Sequence, residues 1–205
     1  MTKKFDKTIA LALTGASGAQ YGLRLLEILI QNKVAVYLMI SKPGQIVINM
    51  ETDLKLSGKN NDMQQTLAAL YHAEPGQLTL FDKDQWTAPV ASGTGVADAM
   101  VICPCTMGTL AAVANGLSNN LIERAADVTI KEKRPLILVP REAPFSIIHL
   151  QNMLQLAQAG ATIMPPNPGF YYKPTTINEL IDFVVARILD HIDIPHCLLP
   201  RWGEE

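Results

Sequence analysis

Cysteine is scarce in this chain: 205 residues carry three, two of them as Cys103-Pro104-Cys105. Three thiols make no disulfide framework, and Cys-x-Cys is not the Cys-x-x-Cys spacing of a redox motif. The pair reads as small buried hydrophobes at a strand end, and a reducing, cytoplasmic setting fits best. Net charge is nearly absent, since 17 Lys and Arg against 19 Asp and Glu leave -2. That balance gives no electrostatic ground for a nucleic acid or an acidic membrane as partner. No apolar run is long enough for a membrane span, and the basic start Met1 to Lys7 runs into a strand and a turn, so it does not read as a signal peptide. The four histidines show no metal-ligand spacing, which argues against a metal site. Also missing are a Gly-x-Ser-x-Gly elbow, a Tyr-x-x-x-Lys pair and both standard phosphate-binding glycine fingerprints. No Gly-Lys-Ser/Thr is present, and Ser17 stands where Gly-x-Gly-x-x-Gly needs its second glycine.

What is present is a chain that is 48% hydrophobic, enough for one sizeable core and a single domain over 1–205. Short apolar runs alternate with helical periodicity from end to end, the pattern of a parallel α/β sheet with helices on both faces. Strands are predicted at Ile9–Leu13, Val34–Ile40, Leu78–Phe81, Ala99–Cys103, Leu136–Val139 and Ala161–Met164. Helices are predicted at Tyr21–Ile30, from Ser41 onward, Asp62–His72, Met107–Ala114, Asn119–Lys131, Ile147–Gln158 and Thr176–His191. Pro104 is expected to end the fourth strand. Ala91–Val96 is expected to be a small-residue loop that either spaces two elements or lets a ligand approach the backbone.

The chain is organised around Thr14-Gly15-Ala16-Ser17-Gly18-Ala19. A strand that turns at glycine straight into a helix aims free N–H groups over the strand's C-terminal end, a site for an anion such as phosphate. A tight turn with close packing beneath it explains the same residues equally well. Ser41 and Thr106 are expected to cap the next two helices above the sheet. Ser41-Lys42 occupies the position where a dinucleotide fold needs an acidic residue for the ribose, which counts against NAD. Arg124, Asp127 and Lys131 share a helix face, which on spacing alone reads as a solvated charged stripe. Arg141-Glu142 lies between two prolines at a strand end, either a surface pair or a rigidly held pair of reactive groups. Pro165–Pro174 is a stiff loop presenting aromatics, and the apolar tail 194–205 is expected to dock at a subunit interface.

Taken together, these segments resemble the UbiX-type flavin prenyltransferases. The resemblance rests on Thr14–Ala19, Ser41-Lys42, Glu51–Asp53, Cys103–Cys105, Arg124–Asp127, Lys131–Pro135, Arg141–Pro144, Pro165–Tyr171 and Pro200–Trp202, in order along the chain; Thr106 stands where members often carry Ser. It implies a three-layer, Rossmann-like (flavodoxin-like) fold that binds FMN. It also implies a metal-free reaction joining a dimethylallyl group from dimethylallyl phosphate to N5 and then C6 of reduced FMN. The product, prenylated FMN, would serve a UbiD-type decarboxylase in ubiquinone biosynthesis or aromatic acid metabolism, and the chain would assemble as a homo-oligomer, by family habit a dodecamer.

By the same resemblance, FMN contacts fall on Gly15, Ala16, Ser17, Ser41, Thr106, Met107, Gly108, Thr109 and Arg141. The prenyl phosphate falls to Ser17, Arg124, Lys131, Glu142, Tyr171 and Arg187, with Ser17, Arg124, Lys131, Glu142 and Tyr171 the expected catalytic groups. Without a metal, the arginines and the lysine must offset the charge that develops on the leaving phosphate. Tyr171 would face the allylic cation, and Glu142, or the departed phosphate beside it, would take the C6 proton. Two rivals fit the same fold: an FMN-dependent decarboxylase acting on an aromatic acid or a cysteinyl substrate, and a non-catalytic FMN-binding module. The cysteine-decarboxylating relatives need a histidine that the early loops here lack, and a binding module has no use for three cations away from the flavin.

Overall fold

The structure, a computed structural model, describes residues 4–56, 58–200 and 203. Six strands, β1 (Thr8–Leu13), β2 (Ala35–Ile40), β3 (Leu78–Phe81), β4 (Ala99–Cys105), β5 (Leu136–Pro140) and β6 (Thr162–Ile163), form one sheet in the order β3-β2-β1-β4-β5-β6. All pairings are parallel. Among the described residues seven α-helices accompany them, six between strands and the last after β6: α1 (Ala19–Gln31), α2 (Lys42–Glu51), α3 (Asn60–Leu70), α4 (Met107–Ala114), α5 (Leu121–Lys131), α6 (Ile147–Gln158) and α7 (Ile177–His191). The strand order reverses between β1 and β4. In such sheets the crevice for a ligand opens there, beyond the strands' C-terminal ends.

The alternation of side chains along β1 sorts the helices into two layers. Ile9, Leu11 and Leu13 face a core shared with α1 and with Ile181, Val184, Val185, Ile188 and Leu189 of α7. Ala10 and Ala12 face the other core, with Leu110 and Val113 of α4, Leu121, Ile122 and Ala125 of α5, and Leu156 of α6. Helices α5 and α7 therefore lie on opposite faces of the sheet. On the first face, Arg24 of α1 ties the layer together: its Nε donates to Asp182 Oδ1 of α7 at 2.7 Å, and its Nη1 donates to Glu27 Oε2 at 2.7 Å.

Most predicted elements stand within two residues of their predicted ends, and two differ in kind. Strand β4 does not stop at Pro104 but runs through it to Cys105. The register with β5 shifts between Ile102 and Cys105, so the missing N–H falls where the ladder is already irregular. The Pro104 carbonyl meanwhile accepts from the Thr14 amide at 3.1 Å and the Thr14 hydroxyl at 2.8 Å. The small-residue loop has structure of its own, two 3-10 turns at Pro89–Ala91 and Gly93–Gly95.

The chain beyond α7 folds back on its own domain. Ile194 is buried in the α7-side core, and Lys7 Nζ donates to the Ile192 carbonyl at 2.5 Å. Lys7 directly precedes β1, so the C-terminal end of α7 sits at the N-terminal edge of the strands. Arg201 and Trp202, part of the segments that carry the family resemblance, lie outside the described residues.

Candidate active site

The crevice above the β1/β4 junction is built by hydrogen bonds between loops. Thr14 Oγ1 accepts from the Thr106 amide at 2.8 Å while donating to Pro104, which locks the turn after β1 to the turn after β4. The Ser41 amide donates to the Leu13 carbonyl at 3.0 Å, and the Arg141 amide to the Cys105 carbonyl at 3.3 Å, so the turns after β2 and β5 are tied to the same edge. Both predicted caps are in place. Ser41 Oγ accepts from the Gly44 amide at 3.0 Å, and Thr106 Oγ1 accepts from the Thr109 amide at 3.1 Å.

Glycine is needed here for close approach. A β-carbon on Gly15 would lie 2.4 Å from Pro43 Cβ, and one on Gly44 would lie 2.6 Å from the Leu13 carbonyl oxygen, so the turn after β1 and the start of α2 pack backbone to backbone. Gly108, in the first turn of α4, instead meets nothing nearer than 4.0 Å and leaves open space above that helix.

The first helix end is not free for a ligand phosphate. Glu51, the last residue of α2, places Oε2 against the Gly18 amide at 2.8 Å and the Ala19 amide at 3.0 Å. Gly18 holds φ at +100°, a left-handed turn that suits glycine and that swings both amides toward the carboxylate. Partial burial works against the charged form of Glu51. The Ser17 hydroxyl, the Ala19 and Gly18 amides and the nearby Arg141 guanidinium outweigh it and hold the carboxyl below its usual value. An internal anion therefore fills the position that the sequence offered to phosphate, and it gathers Ser17 and Arg141 around it. Sequence reasoning assigned Glu51 no role, because the residue is 33 positions from the amides it caps and no spacing rule links them.

Fitted against these residues, FMN has two remaining helix starts for its phosphate, those of α2 at Ser41 and of α4 at Thr106 to Thr109, with the room above Gly108 for the ring system. The residues present fit the cofactor. Cys103 and Cys105 are buried beneath this floor, and burial raises both thiols well above their ordinary value, so they are packing groups. Among the described residues no cluster of three or more His, Cys, Asp or Glu side chains could hold a metal ion. No helix among them is long and apolar enough to cross a membrane.

Two of the three predicted phosphate cations share the α5 face. Arg124 Nε donates to the Ala91 carbonyl at 3.1 Å, and its Nη1 pairs with Asp127 Oδ2 at 2.8 Å. Lys131 pairs with Glu132, and a β-carbon on Gly93 would sit 3.0 Å from Lys131 Nζ. The small-residue loop therefore lies along both cations, its backbone accepting from Arg124 and Gly93 meeting the Glu132 and Lys131 side chains. Arg187 is elsewhere. It projects from the second half of α7, on the opposite face of the sheet and toward the N-terminal edge of the strands, where it pairs with Asp190 Oδ2 at 2.5 Å. With Tyr171 it lines a separate cavity of about 600 Å³ between α7 and the tail. Glu142 follows Arg141 in an exposed stretch and accepts from its neighbour, the Ala143 amide, at 3.1 Å. One chain thus ties the turns after β1, β2, β4 and β5 together and forms the Arg124–Lys131 face, but does not bring Arg187 and Tyr171 to them.

Exposed apolar surface accompanies this division. Helix α6 buries only Leu156 and leaves Ile147, Ile148, Leu150 and Leu154 open, and Met50, Phe170 and Tyr171 are also largely exposed. That is far more than scattered surface hydrophobes and marks contact surface.

The Flavoprotein family matches residues 1–189. The flavin prenyltransferase UbiX of Pseudomonas aeruginosa is 57% identical over 197 residues, covering 96% of this chain and 94% of that protein. Among solved structures, AnUbiX (PadA1) in complex with FMN and dimethylallyl pyrophosphate superposes with a TM-score of 0.85 at 41% identity, over 96% of this chain and 97% of that one. A dodecameric FMN-dependent UbiX-like decarboxylase from Escherichia coli O157:H7 gives a TM-score of 0.85 at 37% identity, over 96% and 99%. With the turn at Thr14–Ala19, the caps at Ser41 and Thr106 and the paired cations of α5 carried on that shared framework, the chain belongs to the Flavoprotein family and, within it, to the UbiX flavin prenyltransferases.

Proposed function

We propose that the protein transfers a dimethylallyl group from dimethylallyl phosphate to N5 and C6 of reduced FMN without a metal, and hands prenylated FMN to a UbiD-type decarboxylase in the cytoplasm, with ubiquinone biosynthesis one pathway served. The observation that carries this reading is the pairing of two capped helix starts above the β1/β4 junction with a second set of cations, on α5, that the flavin phosphate does not need. The liganded neighbour, which binds both FMN and a dimethylallyl phosphoester, supports the same pairing.

Reduced FMN supplies the nucleophilic ring atoms. The protein's own residues do the remainder. Gly15, Ala16, Ser17, Ser41, Thr106, Met107, Gly108, Thr109 and Arg141 hold the flavin, the capped helix starts offering amides to its phosphate. Arg124 and Lys131 grip the prenyl phosphate and offset the negative charge that grows as the C–O bond breaks. Arg keeps Nη2 unused by its bonds to Ala91 and Asp127, and Lys adds a point charge. Ser17, held against Glu51, borders the same turn, and Glu142 or the departed phosphate removes the C6 proton.

Arg187 and Tyr171 complete the clamp from a second copy of the chain. Three things support this: their place on the opposite face of the sheet from α5, the uncovered apolar surface of α6, and the dodecamer formed by a relative. The tail beyond Ile194 would contribute its exposed residues to the same contacts. A homo-oligomer is therefore the working form, and twelve copies the expected number.

The test is anaerobic incubation of the protein with reduced FMN, dimethylallyl phosphate and a chelator, followed by mass analysis of the flavin. The flavin should gain one dimethylallyl group. Failure to form that product, or a requirement for divalent metal, overturns the reading. Release of CO2 from an aromatic acid or a cysteinyl peptide would replace it with a decarboxylase.

A further inference from the structure

The cavity between α7 and the tail contains a linear chain of hydrogen bonds that ends on Arg187. The Leu198 amide donates to His196 Nδ1 at 3.4 Å, which leaves the ring proton on Nε2. His196 Nε2 lies 3.1 Å from Asp190 Oδ1, and Asp190 Oδ2 accepts from Arg187 Nη1 at 2.5 Å. Exposure rises along this chain. The His196 side chain keeps 11% of its surface, Asp190 43% and Arg187 53%, so the buried ring is the anchor and the guanidinium is the free end. Ile194, two residues before His196, is packed in the core, which fixes the strand of tail that carries the imidazole.

We propose that Asp190 and His196 are positioning residues: the C-terminal tail, through His196 and Asp190, sets the direction in which Arg187 presents its remaining N–H groups to the prenyl phosphate. The inference rests on the reading of Arg187 as a phosphate ligand. An arginine side chain has many rotamers, and one bond to a helix neighbour three residues on leaves the carboxylate itself free to turn. A second bond on the other carboxylate oxygen, from a buried imidazole, removes that freedom. One guanidinium edge is then occupied, and Nη2 and Nε point away from Asp190 for a bidentate grip on phosphate. The carboxylate also offsets part of the arginine's charge, so its net value to binding must come from orientation.

The experiment uses the assembled, FMN-loaded protein and steady-state turnover with dimethylallyl phosphate. It compares Arg187→Ala, Asp190→Asn, His196→Ala, His196→Gln and the double variant Arg187→Ala/Asp190→Asn. Flavin loading and oligomer size are measured on each. Arg187→Ala tests the underlying reading: an unchanged KM for dimethylallyl phosphate removes Arg187 from the site, whatever the other variants do. Given a raised KM there, Asp190→Asn and His196→Ala should each raise KM about fivefold to tenfold with kcat within about twofold. Gln keeps one donor near the Nε2 position, so His196→Gln should restore most of the loss, and Asp190→Asn should add nothing once Arg187 is gone. An unchanged KM in both single variants overturns the proposal, as does a further loss in the double variant or an effect confined to flavin loading or assembly. If Asp190→Asn does not fold, the His196→Ala and His196→Gln pair decides by the same criteria.

Discussion

Replacing Glu51 removes the anion that closes the N-terminal end of α1, and the size of the effect follows from its contacts. One carboxylate oxygen accepts from two backbone amides, Gly18 at 2.8 Å and Ala19 at 3.0 Å. An N-terminal cap is worth about 1 kcal/mol and a carboxylate in the helix dipole about 0.5 kcal/mol more, with solvent screening reducing a partly exposed group such as this. Glu51→Ala should therefore cost about 1.5 kcal/mol, and Glu51→Gln, which keeps a neutral acceptor, about half that. For a chain of this length each kcal/mol moves Tm by about 2–4 °C, so the Ala variant should melt about 3–6 °C lower.

The pH dependence separates charge from shape. Because the folded-state carboxyl lies below its ordinary value of 4.5, the charge contributes fully above that value and is lost as pH falls through the lower, folded one. Thermal unfolding of flavin-free protein at fixed concentration, wild type beside Glu51→Gln, should show a gap at neutral pH that closes on acidification. Equal melting temperatures at neutral pH, or a gap that persists undiminished into acid, would refute the assignment of Glu51 as the helix anion.

Two further outcomes follow from the same geometry. Gly44→Ala puts a β-carbon 2.6 Å from the Leu13 carbonyl oxygen, so α2 must shift; denaturant unfolding should show a loss of about 1–3 kcal/mol, and fluorescence titration should show weaker FMN binding. Glu142→Gln should lower kcat about a hundredfold with little change in KM, and an isotope effect with C6-deuterated FMN should grow as proton removal becomes slower; an unchanged isotope effect and rate would remove Glu142 from that step.

Much of the fold was legible because both signals that specify it are local. The apolar runs of β1 and β4 are continuous because both faces of the sheet are covered, and Ser41 and Thr106 announce their helices as caps. Pro104 misled because a proline in a strand is a local rule for stopping, while here a register shift accommodates it. The capped turns at Ser41 and Thr106 were also legible, since a strand-to-helix turn carries its own cap chemistry. Glu51 was not, because its partners are contributed by the packing of α2 on α1, and neither was the setting of Gly93, across which the Glu132 and Lys131 side chains lie. The resemblance named Arg187 and Tyr171 but could not place them relative to Arg124. That relation depends on which face of the sheet each helix covers, and pattern alone leaves the face undetermined.

On the proposed mechanism, cations from opposite faces of the sheet act on one prenyl phosphate, which requires two copies of the chain. The most direct test mixes subunits: Lys131→Ala and Arg187→Ala chains, each impaired alone at low dimethylallyl phosphate, are dissociated, combined, reassembled and assayed for prenylated FMN under that condition. Sites that draw Lys131 from one chain and Arg187 from another are then intact, and activity should rise above both parents by a fraction of wild type set by the mixing ratio. Mixed oligomers that form and stay as impaired as their parents would contradict it.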